Sequence, residues 1–490
     1  MKLFFQLEKG QRPRTADLMN QFRVEAVSPT PDLVQDTGAV LAVPPSGPRR
    51  ARTRSVPALF WILGVGLVVR LLAVLFLYHD QLAPERDHFE FGWELGRVAQ
   101  SLTEGRGFAS PLFGDTGPTA WLPPVYVYLL AGVFRLFGVY TPAAAIAILT
   151  LNSLFSALTA WPIVAITERL FGRKVAVRAG WVWAFFPYAI FIAATRVWGE
   201  CLDALLVSAV VLMGLRMAEI SRGTVWLAGG LLTGFTTLIN PNTLSLAPAL
   251  WGWGCWSLSR SAQRWARPLI LASVGLFAVV APWFLRNTLV FNELLPFRSS
   301  FWLEVYVGNN PEASVMLVDW NRHPASNSSE LAEYRSSGEL AYMKAKRKQA
   351  LAYIGSHPAT FAILTLRRVV FVWTGFWSWD KRYLASEPFR LPFVLFGTAL
   401  SLFMLIGIRA TWRTIPSTSV LAAILVCQPV VYYITHPAPE YRHAIDPVIV
   451  ILATVGVLTF RSASAQMNAR CLRVLDTLWA KPYRKTGCAQ

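Results

Sequence analysis

Long apolar runs alternate with short basic clusters along most of this chain, and the alternation predicts a bundle of membrane-spanning helices. The first run, 56 to 78, opens just after Arg49, Arg50, Arg52 and Arg54 and continues as an apolar stretch to Tyr78. About 20 apolar residues are enough for a helix to cross the hydrocarbon core. Further runs at 143–166, 179–196, 201–217, 224–242, 243–257, 269–288, 391–408, 418–436 and 444–461 bring the expected total to about ten crossings. The pattern therefore predicts an all-α integral membrane protein with about ten transmembrane helices, outer-face interfacial helices and a larger outer loop at 289–360.

Basic residues orient the bundle. Arg169, Arg173, Lys174 and Arg178, then Arg216 to Arg222, then Arg260, Arg264 and Arg267 sit at alternate ends of the runs, as cytoplasmic turns do. Both ends of the chain are basic, so an even number of crossings puts the N- and C-termini in the cytoplasm. The apolar segment 123–139 is short, opens on Pro123 and Pro124 and carries Arg135; it reads as interfacial or re-entrant, because a full crossing there would reverse the basic group at 169–178. The segment 361–376 carries Arg367 and Arg368 in its middle and is expected on the outer surface.

The organisation that follows has five parts: a basic, disordered cytoplasmic leader at 1–55; a transmembrane module at 56–288 that includes a first outer loop at 79–142; an outer loop with interfacial helices at 289–390; C-terminal transmembrane helices at 391–461; and a basic cytoplasmic tail at 462–490. No internal repeat is visible.

Composition agrees with this. Hydrophobic residues make up 54% of the 490 and charged residues only 15%, so lipid rather than water is the solvent. The net charge of +18 would suggest nucleic acid as the partner of a soluble chain. Here the charge belongs to loops beside apolar runs, and there is no basic helix with interleaved aromatics, so nucleic-acid binding is excluded as the reading. The five cysteines lack paired spacing and imply neither a zinc site nor a disulfide framework.

The candidate chemistry lies on the outer side. Glu85, Asp87, Glu90 and Glu94 fall within ten residues of one another after the first span. They fit a solvated acidic surface equally with a site in which a carboxylate deprotonates an acceptor or holds a divalent ion beside a phosphate. Glu200 and Asp203 stand at the outer end of an apolar run, where a carboxylate is costly; they either snorkel to the interface or meet the first-loop acids. Arg286 ends another run, and Tyr441, Arg442 and His443 occupy a short outer loop. Guanidiniums at one leaflet suit an anionic headgroup, with interfacial anchoring as the rival.

Four passages together resemble a known family: RDHFEFGWELGRVAQSLTEGRGF followed by PTAWLPPVYVYLLAGVFRLFG; RVWGECLDALL; APWFLRNTLVF followed by YVGNNPE; and EYRHAIDP. In this order, over residues 56 to 460, they resemble the polytopic glycosyltransferases of the C fold. The group in question is family 39, with the protein O-mannosyltransferases and the lipid A aminoarabinose transferase. The resemblance implies transfer of a sugar from a polyprenyl-phosphate-linked donor, embedded among membrane lipids, to a lipid, glycan or protein acceptor on the non-cytoplasmic side. It also implies catalytic roles for Glu90, with Asp87 as the alternative, and for Glu200. Substrate-binding roles fall on Glu94, Arg286, Tyr441, Arg442 and His443. A divalent cation, Mg or Mn, is the one cofactor this chemistry admits, and Glu90 and Glu200 are the acids that would hold it. The family's first acid is usually an Asp followed closely by a Tyr, whereas this loop offers Glu90 with Phe91, and Glu94 stands near the Tyr position. A transporter or flippase of a lipid-linked substrate, and a noncatalytic relative, are the competing readings.

Overall fold

The computed structural model describes residues 56–77, 91–314, 320–375 and 390–479. Every regular element among them is a helix, apart from an isolated bridge between Ala109 and Pro118. Six helices or helix runs are long and apolar enough to cross a membrane: Pro57–Phe76, Pro142–Phe171, Ala266–Phe291, Phe393–Thr411, Ser417–Ile434 and Glu440–Asn468. A seventh is added if the pair Arg173–Ala184 and Pro187–Thr195, bent by 42°, counts as one span. The helices Glu200–Met217, Gly223–Thr237 and Leu246–Arg260 occupy the remaining expected runs, but they are shorter or more charged.

Local sequence explains where helices start and stop. Thr141 accepts a hydrogen bond from the Ala144 amide, with Pro142 in the first helical position, where its missing N–H costs nothing. The expected run at 179–196 is interrupted because Pro187 cannot donate into the preceding turn, and a new helix begins there. The short apolar segment near 123–139 is a 14-residue helix, Pro124–Phe137, in line with its length in the sequence.

One feature of the first span departs from the sequence reading. The stretch treated as apolar throughout carries Arg70 at its centre, and Arg70 is fully buried. Its Nε donates to Ser156 Oγ at 2.8 Å, Nη1 to Gly66 O and Ala184 O at 2.9 and 3.0 Å, and Nη2 to Trp183 O at 3.1 Å. Trp183 and Ala184 are the last residues of the helix that breaks before Pro187. The guanidinium thus gives the Ala184 carbonyl the donor that the break removes and adds a second donor to Trp183 O, which also accepts from the Phe186 amide at 3.1 Å, at the end of a helix dipole that favours positive charge.

The spans approach closely where side chains vanish. A Cβ at Gly456 would lie 1.8 Å from Phe403 O, and one at Gly230 would lie 1.9 Å from Ala272 O. These contacts join Arg390–Thr411 to Asp446–Trp479, and Gly223–Thr237 to Ala266–Phe291, by the small-residue packing common between helices in lipid.

One apolar core concerns function closely. It gathers Phe91, Leu95 and Val98 from the first outer loop, Trp121, Val127 and Phe134 after it, and Leu303, Tyr334, Tyr342 and Met343 from the long polar segment. The two outer segments therefore bury apolar surface against each other. Glu339 pins them polar-side as well: its carboxyl accepts from Thr119 Oγ1, from the Ala120 amide at 2.8 Å and from the Tyr334 hydroxyl at 2.9 Å. Burial raises its pKa above the ordinary carboxylate value.

Arg368 serves a related purpose. The sequence places its helix, Pro358–Trp373, on the outer surface because of the two central arginines, yet Arg368 itself is fully buried. It donates to Gly308 O, and to Asn309 Oδ1 and Tyr433 O at 3.2 and 3.3 Å. The charge is accommodated by carbonyl oxygens rather than by water.

Candidate active site

The turn Phe91–Gly92–Trp93 opens the site. Gly92 has φ +71°, and Trp93 has φ 46°, a conformation uncommon for a residue with a side chain. A Cβ at Gly92 would lie 2.6 Å from Val197 O and 3.1 Å from the Trp198 ring. The first-loop turn is therefore seated on the segment that leads into Glu200. Non-glycine residues held at positive φ concentrate at functional sites, where surrounding contacts sustain the strain. Glu94 follows at once, as the first residue of the helix Glu94–Thr103, and is buried.

Glu200 and Asp203 lie in the first turn of Glu200–Met217. Asp203 Oδ2 accepts from Asn240 Nδ2 at 2.6 Å, while Asp203 Oδ1 and Glu200 Oε2 are buried without hydrogen-bond partners. The Tyr432 hydroxyl lies among Asp203, Asn240 and Asn242. Its ring stacks on Tyr441 at 4.8 Å, and the Tyr441 ring is 5.7 Å from that of His436. Arg196, just before Glu200, pairs with Glu440 at 3.7 Å.

From the long outer segment, Glu304 enters the same cluster. Its Oε1 is 3.2 Å from Arg298 Nη2 and its Oε2 is 2.9 Å from His436 Nε2. Burial opposes its ionisation, but His436 and the positive charge of Arg298 outweigh that and lower its pKa to about 2. Glu94 has the opposite balance: burial first, and then the nearby charge of Glu304, push its pKa up to about 7 against the pull of Arg97 and Arg298. His323 Nε2 is 3.9 Å from Glu94 Oε1, and the Ala325 amide donates to His323 Nδ1 at 3.1 Å. Burial lowers the His323 pKa to about 4, so the ring is neutral near pH 7 with its proton on the nitrogen that faces Glu94.

The residues singled out in the sequence divide into three sets. Glu94, Glu200, Asp203 and Tyr441 belong to this cluster. Glu85, Asp87 and Glu90 lie outside the described residues. Arg286 and Arg442 with His443 are engaged by other partners: Arg286 donates to Thr119 O and Phe108 O at 2.6 and 2.9 Å and lies over the Trp283 ring, while Arg442 donates to Asp446 Oδ1 and Val372 O at 3.1 and 2.9 Å. His443 Nδ1 faces the other Asp446 oxygen at 3.1 Å.

Sequence reasoning missed Arg298, Glu304, His323 and His436. His436, one of only six histidines in the chain, closes an apolar run and could have been flagged from that position. The other three sit in polar sequence with no signal to separate them from loop surface. Among the described residues, no group of three or more His, Cys, Asp or Glu side chains is arranged to hold a metal ion.

Residues 122–285 match the model of the dolichyl-phosphate-mannose-protein mannosyltransferase family. No curated protein matches the chain in sequence. Among solved structures, the chain is similar to the oligosaccharyltransferase of Archaeoglobus fulgidus in complex with zinc and sulfate, with TM-score 0.46 and 16% identity over 84% of this chain and 51% of that one. The archaeal oligosaccharyltransferase AglB of the same organism, with an inhibitory peptide and a dolichol-phosphate, gives TM-score 0.46 and 14% identity over 88% and 53%. ArnT from Cupriavidus metallidurans bound to undecaprenyl phosphate gives TM-score 0.37 and 14% identity over 85% and 80%. The chain thus spans about half the length of the archaeal enzymes it matches.

Proposed function

We propose that this chain is a multi-pass membrane glycosyltransferase that moves a sugar from a polyprenyl-phosphate carrier to an acceptor on the non-cytoplasmic side of the membrane. The observation that carries the reading is the seating of the first-loop turn at Gly92 on Val197 and Trp198, directly before Glu200; these last three residues lie in the stretch 122–285 that matches the dolichyl-phosphate-mannose-protein mannosyltransferase family. Glycosyl transfer requires a base for the acceptor and positive charge for the departing phosphate. Carboxylates and guanidiniums gathered from both outer segments meet those needs.

In this mechanism a first-loop acid, Glu90 or its alternative Asp87, activates the acceptor, and Glu200 orients it. Arg286 and Arg442 neutralise the lipid phosphate. Direct displacement inverts the anomeric carbon. The pair Glu200 and Asp203, with one unpartnered oxygen each, fits the one or two carboxylates that Mg²⁺ or Mn²⁺ ordinarily takes from a protein. With Glu90 they would hold such an ion, which when bound supplies charge neutralisation at the phosphate.

The count of about ten crossings, with both termini cytoplasmic, belongs to the same proposal. It takes Glu200–Met217, Gly223–Thr237 and Leu246–Arg260 as short or tilted spans in addition to the bent pair. Reporter fusions at the basic turns would read it.

The first-loop assignment has its own test. With a labelled polyprenyl-phosphate sugar in membranes, Glu90→Gln is expected to reduce transfer by at least ~100-fold, the scale of a lost general base. Asp87→Asn should be the milder of the two. Full turnover by both variants would remove the assigned base.

A further inference from the structure

Asn152 lies inside the apolar span Pro142–Phe171 and is fully buried. A polar side chain at that depth is costly unless protein groups satisfy it, so its partners show what it serves. Its Oδ1 accepts from the Tyr126 hydroxyl at 2.8 Å, and its Nδ2 donates to Arg196 O at 2.8 Å. Tyr126 is buried as well, on the short helix Pro124–Phe137. One amide therefore joins three stretches of chain: the short apolar helix, a membrane span, and the residues that lead into Glu200.

Those residues, 196–199, form the non-helical link between Pro187–Thr195 and Glu200–Met217. Backbone that leaves the helix beside lipid must find its hydrogen bonds within the protein, and Arg196 O finds a donor in Asn152. At the other end of the link, a Cβ on Gly199 would lie 3.6 Å from Tyr126 Cβ and 3.4 Å from Ile239 Cγ2. Tyr126 thus reaches both ends, with its stem against Gly199 and its hydroxyl acting through Asn152 on Arg196. The first-loop turn closes on the middle, where Gly92 packs against Val197 O and the Trp198 ring. The Val125 amide, donating to Leu238 O at 3.3 Å, ties the tyrosine's own helix to the same region. Glu200 is the next residue, and its helix starts at Gly199 without a side-chain cap. The direction in which Glu200 leaves the link is therefore set by these outside contacts rather than by a cap of its own.

Taking as premise the glycosyltransferase reading with Glu200 at the acceptor, we propose that Tyr126 and Asn152 are positioning residues: they fix the 196–199 link so that Glu200 presents its unpartnered oxygen to the acceptor. Neither touches the reacting atoms. Packing alone would be served by phenylalanine and leucine at these two places, whereas a hydrogen-bonded pair specifies a single arrangement of the backbone it holds. The lever is large, because a shift of about 1 Å in a catalytic group costs on the order of 10²-fold in rate.

The experiment is a mutant cycle on sugar transfer by the full-length protein in proteoliposomes, with a labelled polyprenyl-phosphate sugar and single-turnover rates for the slow variants. Asn152→Leu should lower kcat at least ~10-fold while the KM for the donor changes by less than about 2-fold, since donor binding is not what the pair controls. Tyr126→Phe, which removes only the hydroxyl, should lower kcat at least ~5-fold. In a Glu200→Gln background both losses should shrink below about 2-fold, because the carboxylate they position is gone. A purely structural role would instead reduce the rate by the same factor in both backgrounds. Wild-type kcat in Asn152→Leu, or undiminished losses beside Glu200→Gln, overturns the proposal. If Asn152→Leu does not fold, Tyr126→Phe carries the cycle alone. Absence of transfer by the wild type would overturn the glycosyltransferase reading itself, whereas transfer with equal losses in both backgrounds overturns only the positioning role.

Discussion

Glu200→Gln is expected to lower sugar transfer by roughly 10²–10⁴-fold, the range over which a positioned catalytic carboxylate contributes, while leaving the protein folded. The substitution keeps the size of the side chain and removes its charge. Glu200 Oε2 has no partner within the protein, so no internal hydrogen bond to that oxygen is lost, and the change falls on whatever the oxygen meets in the working complex. The neighbouring Asp203, placed with Glu200 at the proposed ion site, should lose transfer as well when neutralised. One of its oxygens is held by Asn240, so Asp203→Asn should disturb the local hydrogen bonding as well as the charge. Initial-rate assays at saturating donor, with thermal unfolding of each variant measured in parallel, separate the two effects. Wild-type kcat in Glu200→Gln would exclude the residue from the chemistry.

A comparably large effect, on stability rather than rate, is expected at Arg70. Replacing it by Met leaves the Ala184 carbonyl without its donor inside the bundle, while the Trp183 carbonyl keeps the Phe186 amide at 3.1 Å. A buried group left unsatisfied costs about 1–3 kcal/mol, and that range is the expected loss from the Ala184 carbonyl. Lysine should restore only part of this, because an ammonium cannot span acceptors that a guanidinium fork reaches together. Scanning fluorimetry in detergent would show a lower unfolding temperature in the order wild type, Arg70→Lys, Arg70→Met. Equal temperatures for all three would mean that the helix break at Pro187 needs no cap.

Much of the helical framework could be read from sequence because hydrocarbon imposes a single requirement, a long apolar run, which composition shows directly. The runs beginning at 56, 143, 269, 391, 418 and 444 all appear as helices that satisfy it. The runs near 201, 224 and 243 are helical but shorter or more charged, so apolarity alone does not establish that they cross. Arg70 does not stand out because a single charge hardly lowers the apolarity of a window, and its partners Trp183 and Ala184 are more than a hundred residues away.

The site was legible only in part. Glu200 and Asp203 stood out because carboxylates at the edge of an apolar run are expensive, and Glu94 because it sits in a dense acidic stretch. Arg298, Glu304 and His323 did not, since a polar outer segment contains many such residues and only tertiary contact distinguishes these. Arg286 and Arg442 were legible as outer-boundary arginines, but their bonds to backbone carbonyls and to Asp446 could not be foreseen from spacing.

A reaction readout in sealed vesicles decides between chemistry and transport. Purified protein is reconstituted with a polyprenyl-phosphate sugar labelled on the sugar and with crude membrane acceptors, and both the label and the freed lipid phosphate are followed. Glycosyl transfer predicts that label leaves the lipid in step with release of unglycosylated polyprenyl phosphate. Label that changes leaflet while still attached to its lipid, with no polyprenyl phosphate released, would contradict it and identify the chain as a carrier.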